Sequence, residues 1–242
     1  MPRFYLSQPL AVGQLVSLPE AVAHHILVLR LAQGALITLF NGEGGEFSAT
    51  LCDIGKRSVT AEVKAHNPRD VELPYAITLA QCLPEASKLD WIIEKAVELG
   101  VGGIVPLAAQ RCVVRLSAER AEKKRSHWQG IIESASEQSG RNRLAQLAGV
   151  QDYQQWIAQQ DMHKRIILTP RAEQSLAQWA RHQPPQPVTL VVGPEGGLSE
   201  AEEQLAIARG ALPLAMGPRI LRTETAGLAA IAALNASWGG MD

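Results

Sequence analysis

The apolar pattern of this chain changes period once, near residue 70, and that change divides the sequence. Before it, apolar and polar residues alternate in short runs at Leu15–Leu18, 35–40, 46–51 and 58–63, the signature of half-buried strands. Asn41-Gly42 with Gly44-Gly45, and Asp53-Ile-Gly55, supply hairpin turns between them. One helix is expected over 20–29, so the first part reads as a small β-barrel. Asn67-Pro-Arg-Asp-Val-Glu-Leu-Pro74, with two prolines and mixed charge, reads as a linker between a domain of residues 1–70 and one of 75–242.

After the linker, buried strands alternate with amphipathic helices. Strands are expected at 75–81, 103–107, 166–169, Val188–Val192 and 211–216, and helices at 88–99, 117–137 and 173–181. Such alternation builds an α/β domain around a mostly parallel sheet with helices on both faces. Each of the last two strands runs into a glycine- and proline-bearing loop. Gly193-Pro-Glu-Gly-Gly-Leu198 precedes a helix that Ser199 can cap, with Glu202 three residues on to complete a capping box. Gly217-Pro-Arg-Ile-Leu-Arg222 precedes an Ala-rich helix ending near Trp238, with Thr223 expected as its cap. Two such loops side by side make a cleft in which ligand meets backbone.

The cleft does not read as a phosphate site. No Lys follows the glycines as a nucleotide-triphosphate cradle requires, the Gly-x-Gly-x-x-Gly fingerprint is absent, and Glu195 in the first loop would repel a pyrophosphate. Three scattered cysteines, Cys52, Cys82 and Cys112, form no metal-ligand spacing and suit a reducing cytosol. No apolar run has the length that spans a bilayer, and no signal peptide is evident, so a cytoplasmic protein without membrane contact is expected. The formal net charge of −1 over 242 residues offers no overall attraction to nucleic acid. Positive charge is instead local: Arg111, Arg115, Arg120, Lys123, Lys124 and Arg125, then Arg141 and Arg143. A run of this kind is either a solvated helix face or an RNA footprint.

Gly193-Pro-Glu-Gly-Gly-Leu-Ser199 together with Leu-Ala-Met-Gly217-Pro-Arg-Ile-Leu-Arg222-Thr-Glu-Thr-Ala226 resembles the S-adenosylmethionine site of SPOUT methyltransferases, and most closely the RsmE family, which methylates N3 of one uridine in 16S ribosomal RNA. The resemblance extends along the chain. Arg3-Phe-Tyr, His24, Val28-Leu-Arg30 and Gly34 are similar to that family's PUA-like RNA-binding domain, and Ser87-Lys88, Glu94-Lys95, Glu98-Leu-Gly100 and Glu137-Gln-Ser-Gly-Arg-Asn-Arg143 match its segments in the second. One departure is Pro84-Glu85-Ala86 where the family commonly has Pro-Lys-Gly, which leaves Lys88 alone to play the basic part.

The resemblance implies a C-terminal trefoil-knotted domain, S-adenosylmethionine as cofactor, no metal, small-subunit RNA or the assembled subunit as partner, and a homodimer whose interface includes the Ala-rich helix. It places the cofactor against Leu168, Thr169, Gly193, Pro194, Glu195, Gly196, Gly197, Met216, Gly217, Ile220, Leu221, Arg222, Thr225 and Ala226. Arg222 and Glu224 would carry the catalysis, and Arg3, His24, Arg30, Lys88, Arg141 and Arg143 would hold RNA. A cysteine nucleophile is not required for methylation at nitrogen. A ribosome-binding assembly factor that keeps the fold without catalysis, or an enzyme of this class acting on another RNA, stays open on sequence alone.

Overall fold

The computed structural model describes residues 1–55, 58–85 and 87–241. By internal contacts the chain forms two units: residues 1–72 with 136–144, and residues 73–135 with 145–242.

In the first unit, β1 (Arg3–Tyr5), β2 (Leu15–Leu18), β3 (Leu36–Phe40), β4 (Glu46–Ile54) and β5 (Val59–Asn67) form one sheet in the order β1-β3-β4-β5-β2, with α1 (Glu20–Val28) between β2 and β3 in sequence. Only β1 and β3 pair in parallel. Sequence alternation shows directly in β4, where Phe47, Ala49 and Leu51 are buried while their neighbours stay partly exposed. Those residues join Phe4, Leu6, Val16, Ile26, Ile37, Leu39 and Val63 in the core. Register shifts at Ser48/Ala49 and Leu51/Asp53 add the local bending that curls a sheet round such a core. Among the described residues the ladder ends at β1 and β2, which do not pair with each other. The turn between β3 and β4 uses glycines where the backbone is left-handed, with φ 84° at Gly42 and 101° at Gly44.

A strap completes this unit. The peptide N–H of Tyr5 donates to Glu137 (2.8 Å), Arg3 to Asn142 Oδ1 (2.6 Å), Arg69 to the carbonyl of Gly140 (3.0 Å), and Asn142 to that of Arg69 (2.9 Å). No division of the chain into two successive pieces contains this. Polar side-chain pairing over a separation of 69 to 139 residues leaves no periodic trace in a sequence.

The second unit holds β6 (Ile77–Cys82), α2 (Lys88–Glu98), β7 (Gly103–Ala108), all but the last turn of α3 (Ala118–Ser139), then β8 (Gln146–Leu147), β9 (Gln151–Asp152), α4 (Tyr153–Ala158), β10 (Lys164–Leu168), α5 (Leu176–Arg181), β11 (Val188–Val192), α6 (Glu200–Ala208), β12 (Leu212–Leu214) and α7 (Thr223–Trp238). Every strand pairing is parallel, in the order β12-β10-β11-β6-β7-β8, with β9 also on β7. All five residues of β11 are buried, as a central strand covered on both faces must be. α7 packs on β6 and β11 and against α2 and α5. Its approach to the sheet is close at Gly227, where an added Cβ would lie 3.1 Å from Leu79 and 3.3 Å from Val192.

Two boundaries differ from the sequence reading, each for a local reason. α5 begins at Leu176 because Ser175 and Gln178 form the capping box that starts it, leaving Glu173 outside. α7 has Arg222 at its N-cap without a side-chain cap bond, and Thr223 is its first helical residue with its hydroxyl engaged elsewhere. The Ser199–Glu202 capping box forms as expected, with Glu202 accepting from the Ser199 N–H at 2.8 Å. The buried positions of α7, including Gly227, Leu228, Ala230, Ile231 and Leu234, face its own sheet and helices. No helix among the described residues is long and apolar enough to cross a membrane.

Candidate active site

In a parallel sheet every strand delivers its carboxyl end to the same edge, and ligands bind in the crevice there. The segments after β10, β11 and β12 meet at that edge around a cavity of about 460 Å³, well inside the usual range for small-molecule sites. Its wall comprises the whole 193–198 loop, residues 220–224, Ala226, Leu168, Pro170 and Val192, with Lys88, Arg111, Arg171 and Glu203. A side cavity of about 70 Å³ shares Leu168, Pro170, Ile220, Leu221 and Ala226 with it and adds Thr169, Met216, Gly217 and Arg219.

Leu168, Gly193, Pro194, Glu195, Gly196, Gly197, Ile220, Leu221, Arg222, Glu224, Ala226 and Lys88 thus line the main cavity, and Thr169, Met216 and Gly217 the side one. Thr225 is exposed, lines neither, and contributes a backbone bond to the carbonyl of Arg222 at 2.9 Å. The glycines are required by backbone geometry. Gly197 has φ 66°, and a Cβ at Gly193 would lie 2.9 Å from the nitrogen of Leu198, because the loop folds back on itself.

Charge is arranged unevenly over the wall. Lys88 donates to Glu195 Oε1 at 2.6 Å, and the peptide N–H of Glu85 donates to the same oxygen at 3.0 Å. Burial acts to raise the Glu195 carboxyl, but the Lys88 bond and the Glu85 N–H outweigh it and hold the group below its ordinary value. That bond, joined by the charges of Glu224 and Glu85, raises Lys88. Glu85 therefore enters through its backbone, and Ala86 beside it lies outside the described residues. Arg111 donates to the carbonyls of Gly196 (2.9 Å) and Leu198 (3.4 Å), bracing the loop from outside. Arg171 pairs with Glu203 at 2.6 Å. Glu224 differs from these acids: its Oε2 is buried and has no hydrogen-bond partner. An orphaned carboxylate oxygen on a cavity wall is unfavourable until a ligand donor reaches it.

Sequence reasoning missed Arg111 as part of this wall, along with Pro170, Arg171, Val192, Leu198 and Glu203. Arg111 was visible only as one member of a basic run. The usable signal was its place three residues past the end of a parallel strand, where ligand-facing residues collect.

The expected RNA contacts separate into two kinds. His24 and Arg30 are exposed on and just after α1, and Arg30 holds the left-handed conformation with φ 53°. Arg143 is about half exposed and pairs with Asp70 at 3.1 Å. Arg3 is largely spent inside its unit, on Glu46 at 2.5 Å and over the ring of Phe40. Arg141 is 4 % exposed and doubly bonded to Glu72. A guanidinium so enclosed has no face to offer a phosphate, and Arg141 is a structural member of the strap.

Residues 71–235 match the RNA methyltransferase domain family, and residues 18–64 the RNA methyltransferase PUA domain. The parallel sheet carrying paired glycine loops at its C-terminal edge is thus that of an RNA methyltransferase domain joined to a PUA domain. The chain is 35% identical to the ribosomal RNA small subunit methyltransferase E of Bacillus subtilis (strain 168), over 89% of its own length and 87% of that protein's. It belongs to the ribosomal RNA small subunit methyltransferase E family. The crystal structure of the Neisseria gonorrhoeae enzyme of that name, bound to S-adenosyl methionine, superposes with a TM-score of 0.91 at 39% identity, covering 98% of each chain. A putative methyltransferase from Legionella pneumophila, in complex with the same cofactor, gives 0.91 at 36% identity, covering 98% of this chain and 97% of that one.

Proposed function

We propose that this chain transfers the methyl group of S-adenosylmethionine to N3 of a uridine in 16S ribosomal RNA. The observation that carries the reading is that the two glycine loops meet in one cavity whose wall also holds Arg222 and Glu224. The wall suits the cofactor's chemistry. Leu168, Val192, Ile220 and Leu221 offer apolar faces to an aromatic base, the folded loops bring backbone within reach of ring and ribose, and the carboxylates of Glu195, Glu203 and Glu224 suit a sulfonium cation. When bound, the cofactor supplies an electrophilic methyl whose leaving group departs neutral.

The protein's own residues then have three tasks. The loops hold the methyl in line with the attacking nitrogen, so the barrier is lowered by positioning. Glu224 takes the N3 proton: its buried, unpartnered Oε2 is an acceptor already stripped of water. Arg222 stabilises the negative charge that spreads onto the uracil carbonyl oxygens as that proton leaves. His24, Arg30, Arg143 and the exposed positive charges between Arg111 and Arg125 meet the RNA backbone, which supplies locally the attraction that a net charge of −1 does not. The protein works in the cytoplasm as a homodimer, on RNA or the assembled small subunit, and its C-terminal segment threads a trefoil knot; sequence resemblance supports these points.

Calorimetry with S-adenosylmethionine tests the reading. Saturable one-to-one binding is expected. Absence of binding at millimolar ligand would leave a ribosome-associated factor that keeps the fold without the reaction.

A further inference from the structure

We infer that Gln81, which touches neither cavity, is a positioning residue that sets the 193–198 loop against the first turn of α7 through the hydroxyl of Thr223. The inference rests on the reading of that cavity as the cofactor and reaction site.

Gln81 lies at the carboxyl end of β6, opposite Val192 in register and fully buried. Its side-chain nitrogen donates to the carbonyl of Cys82 at 3.0 Å and to Thr223 Oγ1 at 2.9 Å. Thr223 Oγ1 in turn donates to the carbonyl of Gly193 at 2.6 Å. The polarity of this chain is forced. A carbonyl only accepts, so the single hydroxyl proton of Thr223 goes to Gly193, and the hydroxyl oxygen must then receive a proton from Gln81. Turning the amide over would set oxygen against both Cys82 O and Thr223 Oγ1.

That orientation leaves Gln81 Oε1 buried without a partner, on the side where α7 passes at Gly227. A buried acceptor left unpaired opposes folding, and an apolar side chain of the same length would remove the penalty. Stability therefore does not explain a glutamine here; a donor to Thr223 does. Thr223 is flanked by Arg222 and Glu224, and Gly193 opens the glycine loop, so one hydroxyl fixes the spacing between the reacting side chains and the loop. The Gln81 end of the tie is fully buried, where a hydrogen bond keeps its geometry.

The test compares Gln81→Met, Thr223→Val and Thr223→Ser with the parent protein. It measures thermal midpoint, amide hydrogen exchange of the ligand-free chain and S-adenosylmethionine affinity. Gln81→Met is expected to keep or raise the midpoint, since the orphan oxygen is gone, while the amides of Gly197 and Leu198 exchange faster. Loss of about one hydrogen bond's worth of order corresponds to roughly tenfold weaker cofactor binding. Thr223→Val should reproduce the exchange change, combination of the two should add nothing, and Thr223→Ser should restore loop protection. Parental loop exchange in Gln81→Met would overturn the inference. So would a lowered midpoint with exchange accelerated across the whole sheet, which is the mark of a merely structural residue. The exchange measurement needs no ligand, so a parent protein that binds no cofactor would sink the functional reading and still leave the tie itself decided.

Discussion

Single arginines in this chain divide by burial, and their substitution should separate three roles. Arg222, exposed at the cavity, should lose methyl-transfer rate by orders of magnitude on change to Ala, with little effect on the salt dependence of RNA binding, because its charge acts on the reacting base. Arg143→Ala should leave the rate at saturating RNA nearly intact and lower the magnitude of the salt slope by about 0.7 to 0.9, one phosphate contact. Arg141→Ala should do neither. It breaks a largely buried ion pair with Glu72 and should lower unfolding free energy by about 3 kcal/mol, the low end of the range for such pairs because Glu72 is partly exposed. Kinetics over a salt series and denaturant unfolding of the same three variants check all of this. A normal rate for Arg222→Ala with a flattened slope would make it a phosphate clamp. Sequence alone put Arg141 and Arg143 in one group, since both sit in one polar run. What separates them is a carboxylate at residue 72 whose proximity only the folded chain shows.

Among elements, the strap of residues 136–144 depends on carboxylates whose titration can be followed. Burial acts to raise Glu46, but bonding and charge from Arg3, with the charge of Arg69, outweigh it and hold the group below its ordinary value of 4.5. The Glu72 N–H, ahead of Arg143, holds Asp70 below 3.8. A carboxyl with a depressed folded-state value favours the folded arrangement above its ordinary value, and that contribution disappears as pH falls through the depressed one. Acidification below those two ordinary values should therefore lower the amide protection of 136–144, relative to intrinsic exchange at the same pH, before that of β6 and β11, which are largely buried and carry no carboxylate. Simultaneous loss of protection in strap and sheet would contradict this. The sequence displayed the elements whose signals are local: the all-buried β11, the Ser199 box and the alternating β4. It did not display β1, three residues that form a strand only because β3 lies beside them, or the short β8 and β9 on β7. Nor did it display the engagement of Thr223, since a Thr before an Ala-rich run reads as a cap unless a buried partner claims its hydroxyl.

At the scale of the whole molecule, parallel pairing brings together residues far apart in the chain. Lys88 and Glu195 are 107 positions apart and in contact; Gln81 and Thr223 are 142 apart. The loop residues of the cavity could be named from sequence because each loop carries its glycines in a contiguous motif. Arg171, Glu203 and Gln81 could not, because their relation to the cavity is set by strand order, and Arg111 is marked only by its place just past a parallel strand. Both sets line or support one cavity, and that this cavity methylates ribosomal uridine at N3 is reached most directly by one measurement. Purified protein is incubated with S-adenosylmethionine carrying an isotopically labelled methyl group and small ribosomal subunits from a strain lacking the gene, and nucleosides from the 16S RNA are mapped by mass spectrometry. Label is expected in a single N3-methyluridine, abolished by Arg222→Ala and by Glu224→Gln. Label at a different atom, or an undiminished yield from both variants, would contradict it.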